Sequence, residues 1–304
     1  MDRDTPPQPA RIPSVPEVTW LEHTGSTQRV VLESAAAAPL DWPHLRAVAT
    51  LDQRTGRGRQ GRDWTTPAGT ALSVSVVLRP RVPFRHWSWA TLIAATVTAA
   101  ELDRRGIPAT VKWPNDILAP DGRKLCGILA GVLPDQSGIV LGLGLNLDFG
   151  PEGAPVPTAT SMAEWLPADA TGGDTGGQAH GAPASGTAAL AADVLGAVLR
   201  SLGQALAAFE DAVARSGSDA TADVDGTHPA VSAVVERLGT LGTQVRAELP
   251  GGTTLAGTAR GLGPGGTLLI EPADRGKMEA VVAGASRRGD LLEVSAADVV
   301  HLRR

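Results

Sequence analysis

A chain of 304 residues with 42% hydrophobic and 19% charged residues holds enough apolar material for one large globular unit and a smaller one. Its net charge of −5 excludes a general nucleic-acid-binding surface, and no uninterrupted apolar run reaches membrane-spanning length. The single cysteine, Cys126, excludes an internal disulfide framework and a cysteine-rich zinc site, and points to a reducing cytoplasm.

The first residues, MDRDTPPQPARIPSVPEV, are polar and proline-rich, without the apolar core of a secretory signal. Residues 1–17 read as a disordered tail. A short first strand is predicted over 20–23, then a hydroxyl-rich turn over 24–27, then a helix over 26–38 capped by Ser26 or Thr27. Residues 46–51 read as a strand delivering a loop rich in glycine and arginine. Residues 71–78, ALSVSVVL, read as the next strand, with apolar positions alternating against serines.

The clearest helix covers 86–105, where Trp89, Leu92, Ile93, Thr96, Val97 and Ala100 recur at helical spacing. Strands are predicted at 110–113, 124–133 and 138–147, the last two paired through the turn 134–137. Residues 160–165 read as one helical turn or two. Residues 166–188 are low in complexity and read as a flexible insert. A second strong helix is predicted over 189–213. Beyond 231, short strand candidates at 234–235, 244–249, 254–259, 267–270, 278–282 and 291–294 suggest a small antiparallel barrel or sandwich. The first 220 or so residues mix strands and helices as in an α+β domain.

Four segments carry chemistry. Residues 54–64, RTGRGRQGRDW, hold four arginines and three glycines. Glycine permits tight turns and close backbone approach, and arginine supplies a planar fork for carboxylate or phosphate. A solvated turn is the plainer reading, but flanking strands and interleaved glycines favour an anion loop. The GxxxxGK[ST] pattern of a phosphate-binding Walker loop is absent. In KWPND, Lys112 suits a phosphate, Asn115 a sugar or phosphate, and Asp116 a magnesium ion or an amine. A proline turn with an Asx hydrogen bond is an equal reading of that segment alone. In RKLCGIL, Lys124 precedes Gly127, which lets a planar ligand lie against the backbone. In GLGLN, Gly142 and Gly144 clear one strand face ahead of Asn146.

Taken together and in this order, GRGRQGRDW, KWPND, RKLCGIL and GLGLN closely resemble the biotin protein ligases. The resemblance covers roughly residues 20–165, and more loosely the C-terminal strands. It implies a class II aminoacyl-tRNA-synthetase-like catalytic domain at 18–228 and an SH3-like barrel at 229–304. It implies ATP-dependent formation of biotinyl-5′-adenylate, then transfer to a lysine of a biotin carboxyl carrier protein, with Mg2+ accompanying ATP.

The resemblance also implies residue roles. Ser26, Thr27 and Gln28 match a Ser-Thr-Asn segment at the ureido end of biotin, with glutamine in place of the usual asparagine. Gln53, Gly56, Arg57 and Gly58 match the biotin loop. Arg59 is expected at the biotin carboxylate and adenylate phosphate, and Arg62 and Trp64 near the nucleotide. Lys112, Asn115 and Asp116 fall on the ATP side. Lys124 matches the family's essential lysine, Gly127 lines the biotin pocket, and Asn146 lies near adenine or metal. Arg59, Lys124 and Asp116 are the expected catalytic set. Fewer than 20 residues precede the first predicted strand, so no DNA-binding domain or repressor role is expected, and the lack of a spanning apolar run leaves no membrane partner expected. A lipoate ligase and a non-catalytic adaptor are the alternatives.

Overall fold

The computed structural model describes residues 17–167, 185–215, 224–249, 252–274, 285–295 and 298–301. Strand β1 (Val18–Trp20) leads through the hydroxyl-rich turn into helix α1 (Thr27–Ala37). The strand thus lies earlier than the expected 20–23. Ser26 caps α1, its Oγ accepting from the Arg29 N–H at 3.4 Å, which satisfies one of the orphan donors of a helix start.

Strand β2 (Ala47–Thr50) runs into a small ribbon, β3 (Gly56–Arg57) and β4 (Asp63–Trp64). Then come β5 (Ala71–Leu78), α2 (Trp89–Arg104), β6 (Thr110–Lys112), β7 (Asp116–Leu118), β8 (Lys124–Val132) and β9 (Ile139–Asn146). A 3-10 turn, Met162–Glu164, is closed by a capping box between Ser161 and Glu164. The seven-stranded sheet has the order β1-β2-β5-β9-β8-β7-β6. It is mixed: β1 and β2 are parallel, whereas β2–β5, β5–β9 and β9–β8 are antiparallel.

Both faces of this sheet are covered. Leu72, Val74, Val76 and Leu78 of β5 join the core under α2, whereas Val77 packs with Val31 and Ala35 of α1. All eight residues of β5 are therefore buried. The serines that alternate with the apolar positions, Ser73 and Ser75, point to the α1 side, where they meet a cleft. Gly142 and Gly144 of β9 share that side by the same two-residue period, because Leu141, Leu143 and Leu145 belong to the opposite core.

Helix α3 (Ser185–Arg215) begins four residues before the expected 189, so residues 185–188 of the expected insert are helical. Residues 168–184 and the tail at 1–16 lie outside the described residues. By length and composition α3 could cross a membrane. Its stripe of Val194, Leu195, Val198, Leu199, Leu202, Leu206 and Phe209 is buried in the core shared with α2.

The segment at 234–235, read above as a strand, is helical instead: α4 (Ser232–Arg237). Pro229 opens the preceding turn, and Val231, Val234 and Leu238 are buried at helical spacing. Strands β10 (Gln244–Glu248), β11 (Thr254–Leu262), β12 (Leu268–Pro272), β13 (Ala285–Arg288), β14 (Leu291–Val294) and β15 (Asp298–His301) follow. They form a six-stranded antiparallel sheet in the order β13-β14-β12-β11-β10-β15. The candidate at 278–282 lies outside the described residues. This second sheet is tied to the first. Gly239 N–H donates to Val111 C=O at 2.9 Å, and the buried Trp113 indole donates to Gly266 C=O at 2.8 Å.

Candidate active site

A cleft of about 370 Å3 opens on the α1 face of the main sheet. Ser26, Thr27, Gln28, Gln53, Arg57, Gly58, Arg59, Arg62, Trp64, Lys112, Asn115, Asp116, Lys124 and Gly127 all line it. Residues far apart in sequence meet here because β2, β5, β8 and β9 are neighbours and the α1 N-terminus points at their shared face. Two expected residues are not on the wall. Asn146 is buried, and its amide donates to the carbonyls of Lys124 at 3.2 Å and Thr160 at 2.9 Å. It therefore holds the backbone that carries Lys124. Gly56 sits behind the loop; a Cβ there would lie 2.5 Å from both Gln53 Nε2 and Trp64 O.

At one end the polar groups form a directed chain. Thr27 N–H and Thr27 Oγ1 both donate to Gln53 Oε1, at 2.9 and 3.1 Å. A hydroxyl has one proton, so Thr27 Oγ1 must accept in its 2.9 Å contact with Ser75 Oγ. Ser75 thus spends its proton on Thr27 and keeps lone pairs for a ligand N–H. Ser26 Oγ accepts from Arg29 N–H and keeps its proton for a ligand carbonyl. Gln28 reaches over β8 and β9: its Nε2 would lie 3.3 Å from a Cβ at Gly131, and its Oε1 3.7 Å from one at Gly142.

The middle of the cleft is a backbone floor under an indole. A Cβ on Gly144 would lie 2.7 Å from the Trp64 ring, and one on Gly127 would lie 2.9 Å from Lys124 Nζ. At Gly144 only glycine leaves room for the ring, and at Gly127 any added atom would push the end of the lysine aside. Lys124 Nζ stands 5.3 Å from the Trp64 ring centre, a cation–π distance. The buried Trp64 Nε1–H has no acceptor among the described residues.

The other end is charged. Lys124 Nζ pairs with Asp116 at 2.5 Å, and Arg59 Nη1 donates to Asn115 Oδ1 at 3.5 Å. Asn115 is fixed from behind, its Nδ2 donating to Ile128 C=O at 2.7 Å. The arginine loop itself is braced. Arg57 pairs with Asp63 at 2.8 Å across the β3–β4 ribbon, and Arg54 with Asp52 at 2.9 Å. Gln60 and Gly61, with φ of 55° and 74°, make its tip. The mutual repulsion expected of four arginines is thus reduced by two flanking carboxylates. Burial pushes the Cys126 thiol well up, which keeps it protonated beneath the floor.

Sequence reading missed Ser73, Ser75, Leu129, Glu248 and Val299, which also line the cleft. The serines left a signal, two hydroxyls in an otherwise aliphatic strand. Glu248 and Val299 left none, since they arrive only when the second sheet folds back on the first.

The biotin/lipoate A/B protein ligase family model matches residues 20–146, which hold most of the cleft. The biotin–[acetyl-CoA-carboxylase] ligase of Mycobacterium tuberculosis is 32% identical over 287 residues, covering 92% of this chain and 87% of that protein. The bifunctional ligase/repressor BirA of Bacillus spizizenii is 33% identical over 139 residues, 43% of this chain and 42% of that protein. Among solved structures, the biotin protein ligase of Aquifex aeolicus in complex with biotin and ATP shares the fold, with a TM-score of 0.63 at 20% identity over 94% of this chain and 99% of that chain. The α+β architecture, its mixed sheet and flanking helices, and the similarity across 92% of the chain show that the chain is a ligase belonging to the biotin protein ligase family.

Proposed function

We propose that this chain joins biotin to ATP, giving biotinyl-5′-adenylate and pyrophosphate, and then transfers the biotinyl group to a lysine of a biotin carboxyl carrier protein. One observation carries the reading: a single cleft has a urea-matched end and a cationic end. A urea edge offers two N–H donors and one carbonyl. The Ser75 lone pairs suit the former and the Ser26 proton the latter. The α1 N-terminus adds positive potential beside that carbonyl. The apolar bicycle and tail lie along the Gly142–Gly144 floor under Trp64.

In this reading the biotin carboxylate attacks the α-phosphate of ATP, an approach of two anions. Arg59 and Lys124 offset the repulsion from two sides and stabilise the charge of the transition state. Asp116 orients the Lys124 ammonium through their ion pair. Lys112 and Arg62 take the remaining phosphate charge. Trp64 Nε1–H, without an acceptor among the described residues, donates to an oxygen of the tail or phosphate. In the second step the acceptor amine attacks the mixed anhydride carbonyl and AMP leaves.

Mg2+ would enter on the triphosphate, where it neutralises charge. Among the described residues no group of three or more His, Cys, Asp or Glu side chains forms a metal cage. Of the three carboxylates on the cleft, Asp63 is paired with Arg57, and Asp116 and Glu248 are those that would meet a phosphate-borne ion.

The division into a class II synthetase-like domain at 18–228 and an SH3-like barrel at 229–304, a cytoplasmic site of action without a membrane partner, and the lack of repressor activity belong to the same proposal. The last rests on the similarity to a ligase across 92% of the chain, where the repressor BirA matches over 43%. Biotin-dependent exchange of pyrophosphate into ATP tests the reading. Exchange is expected with biotin and not with lipoate; exchange with lipoate alone, or none at all, would refute it.

A further inference from the structure

The nucleotide side of the cleft is displayed by a very short connection. Lys112 and Asp116 are opposite partners in the β6–β7 hairpin, and Trp113, Pro114 and Asn115 are all that join them. A hairpin so short transmits any displacement of Trp113 directly to Lys112, Asn115 and Asp116.

Trp113 is held from outside its own sheet. Its backbone N–H donates to Thr240 Oγ1 at 2.9 Å, a buried contact, and Thr240 is itself fully buried. Thr240 Oγ1 stands 3.0 Å from His301 Nε2. A backbone N–H only donates, so Thr240 Oγ1 accepts there, and it meets His301 Nε2 with its own proton or its second lone pair according to the imidazole tautomer. Burial, and the positive charge of nearby Lys112, push His301 below its ordinary value, in keeping with a neutral ring. His301 lies two residues from Val299 on β15, hence on the same strand face, and Val299 lines the cleft.

We infer that Thr240 and His301 are positioning residues for the adenylation step: through the Trp113 N–H they fix the Lys112–Asp116 segment against the incoming nucleotide. This rests on the adenylation reading above. The urea-matched end has its own supports in Thr27, Gln53 and Ser75, so the two ends respond separately.

The test compares Thr240→Val, Thr240→Ser, His301→Leu and His301→Gln in the full chain, reading the KM for ATP and kcat in pyrophosphate exchange and biotin affinity by calorimetry. Thr240→Val leaves the Trp113 N–H buried without an acceptor, and should raise the KM for ATP about tenfold or more while biotin affinity stays within about twofold. His301→Leu should do the same more weakly. Thr240→Ser and His301→Gln keep the hydroxyl and an acceptor, and should stay near wild type. Two results would overturn the inference: an unchanged KM for ATP in both Thr240→Val and His301→Leu, or equal losses of biotin and ATP binding in Thr240→Val with no recovery in Thr240→Ser. If wild type shows no exchange, the adenylation reading fails instead, and ATP binding to the same variants by calorimetry still decides the positioning role.

Discussion

The two ends of the cleft are built on opposite principles. At the Ser26–Ser75 end the Thr27 and Ser75 hydroxyl directions are fixed by hydrogen bonds among α1, β5 and Gln53, and these contacts are between neutral groups. At the Lys112–Lys124 end the groups are ionic, sit at strand ends beside short loops, and are backed by the second sheet. Neutral donors and acceptors distinguish a ligand by shape and polarity, which needs rigid geometry. Charges act over longer distances and stabilise a transient state, so they tolerate a softer mounting but must be held as a group. One end therefore serves selection and the other serves reaction.

Removing Lys124 is the harshest way to break this contrast. Lys124→Ala should lower single-turnover adenylate formation by about 100- to 1,000-fold, as for loss of a group that meets developing charge. It should leave biotin affinity within a few-fold, because Lys124 takes no part in the Thr27–Gln53–Ser75 chain. Quenched-flow assay of the adenylate, with calorimetry for biotin, checks both. Equal losses in the two measurements would merge the ends into one functional unit.

Ser75→Ala is the complementary change. It deletes the acceptor offered to a urea N–H and leaves Thr27 Oγ1 without its donor. Biotin affinity should fall by about tenfold, an energy of roughly 1–1.5 kcal/mol, with the KM for ATP unchanged. A loss expressed chiefly against ATP would reverse the assignment of the two ends.

The smallest effect on catalysis should come from the far side of the sheet. Glu101 is buried between α2 and α3. Burial alone would raise its pKa, but Ser201 at 2.6 Å, Arg104 at 2.5 Å and Arg105 at 3.2 Å together hold it below its ordinary value. A carboxylate depressed in the folded state contributes stability above the ordinary glutamate range and loses it as pH falls through the lowered value. Glu101→Gln should lower stability near neutral pH by about 1–3 kcal/mol. It should also flatten the acid limb of the melting curve, with both ends of the cleft keeping their affinities. Melting measured from pH 7 to pH 3 checks this.

Most of the main sheet was legible because its strands and helices each carry a period. β5, β8, β9 and α2 lie within a few residues of where hydrophobic spacing puts them. Short elements were legible less often, although β6 (Thr110–Lys112) lies within the strand expected at 110–113. The two-residue strands β3 and β4 and the three-residue β7 have no period, and form only because a partner strand is present. Val234 and Val235 favour strand by type, but the buried spacing of Val231, Val234 and Leu238 favours helix, and packing decides. The cleft was legible wherever charge or glycine marks the sequence. Ser75 was hidden as the polar phase of a strand, and Thr240 as an ordinary loop hydroxyl, because their roles depend on neighbours 48 and 127 residues away.

The floor of the cleft also bears on how this protein can change. Its central surface at Gly127 and Gly144 is bare backbone, so every substitution there adds atoms, at 2.9 Å from Lys124 Nζ or 2.7 Å from the Trp64 ring. No mutation can deepen it. Innovation in ligand choice must therefore come from the walls, where Gln28 and Leu129 can be exchanged for shorter or bulkier side chains. Lineages adapting to bulkier or slimmer ligands would show drift at the walls around a floor that stays still.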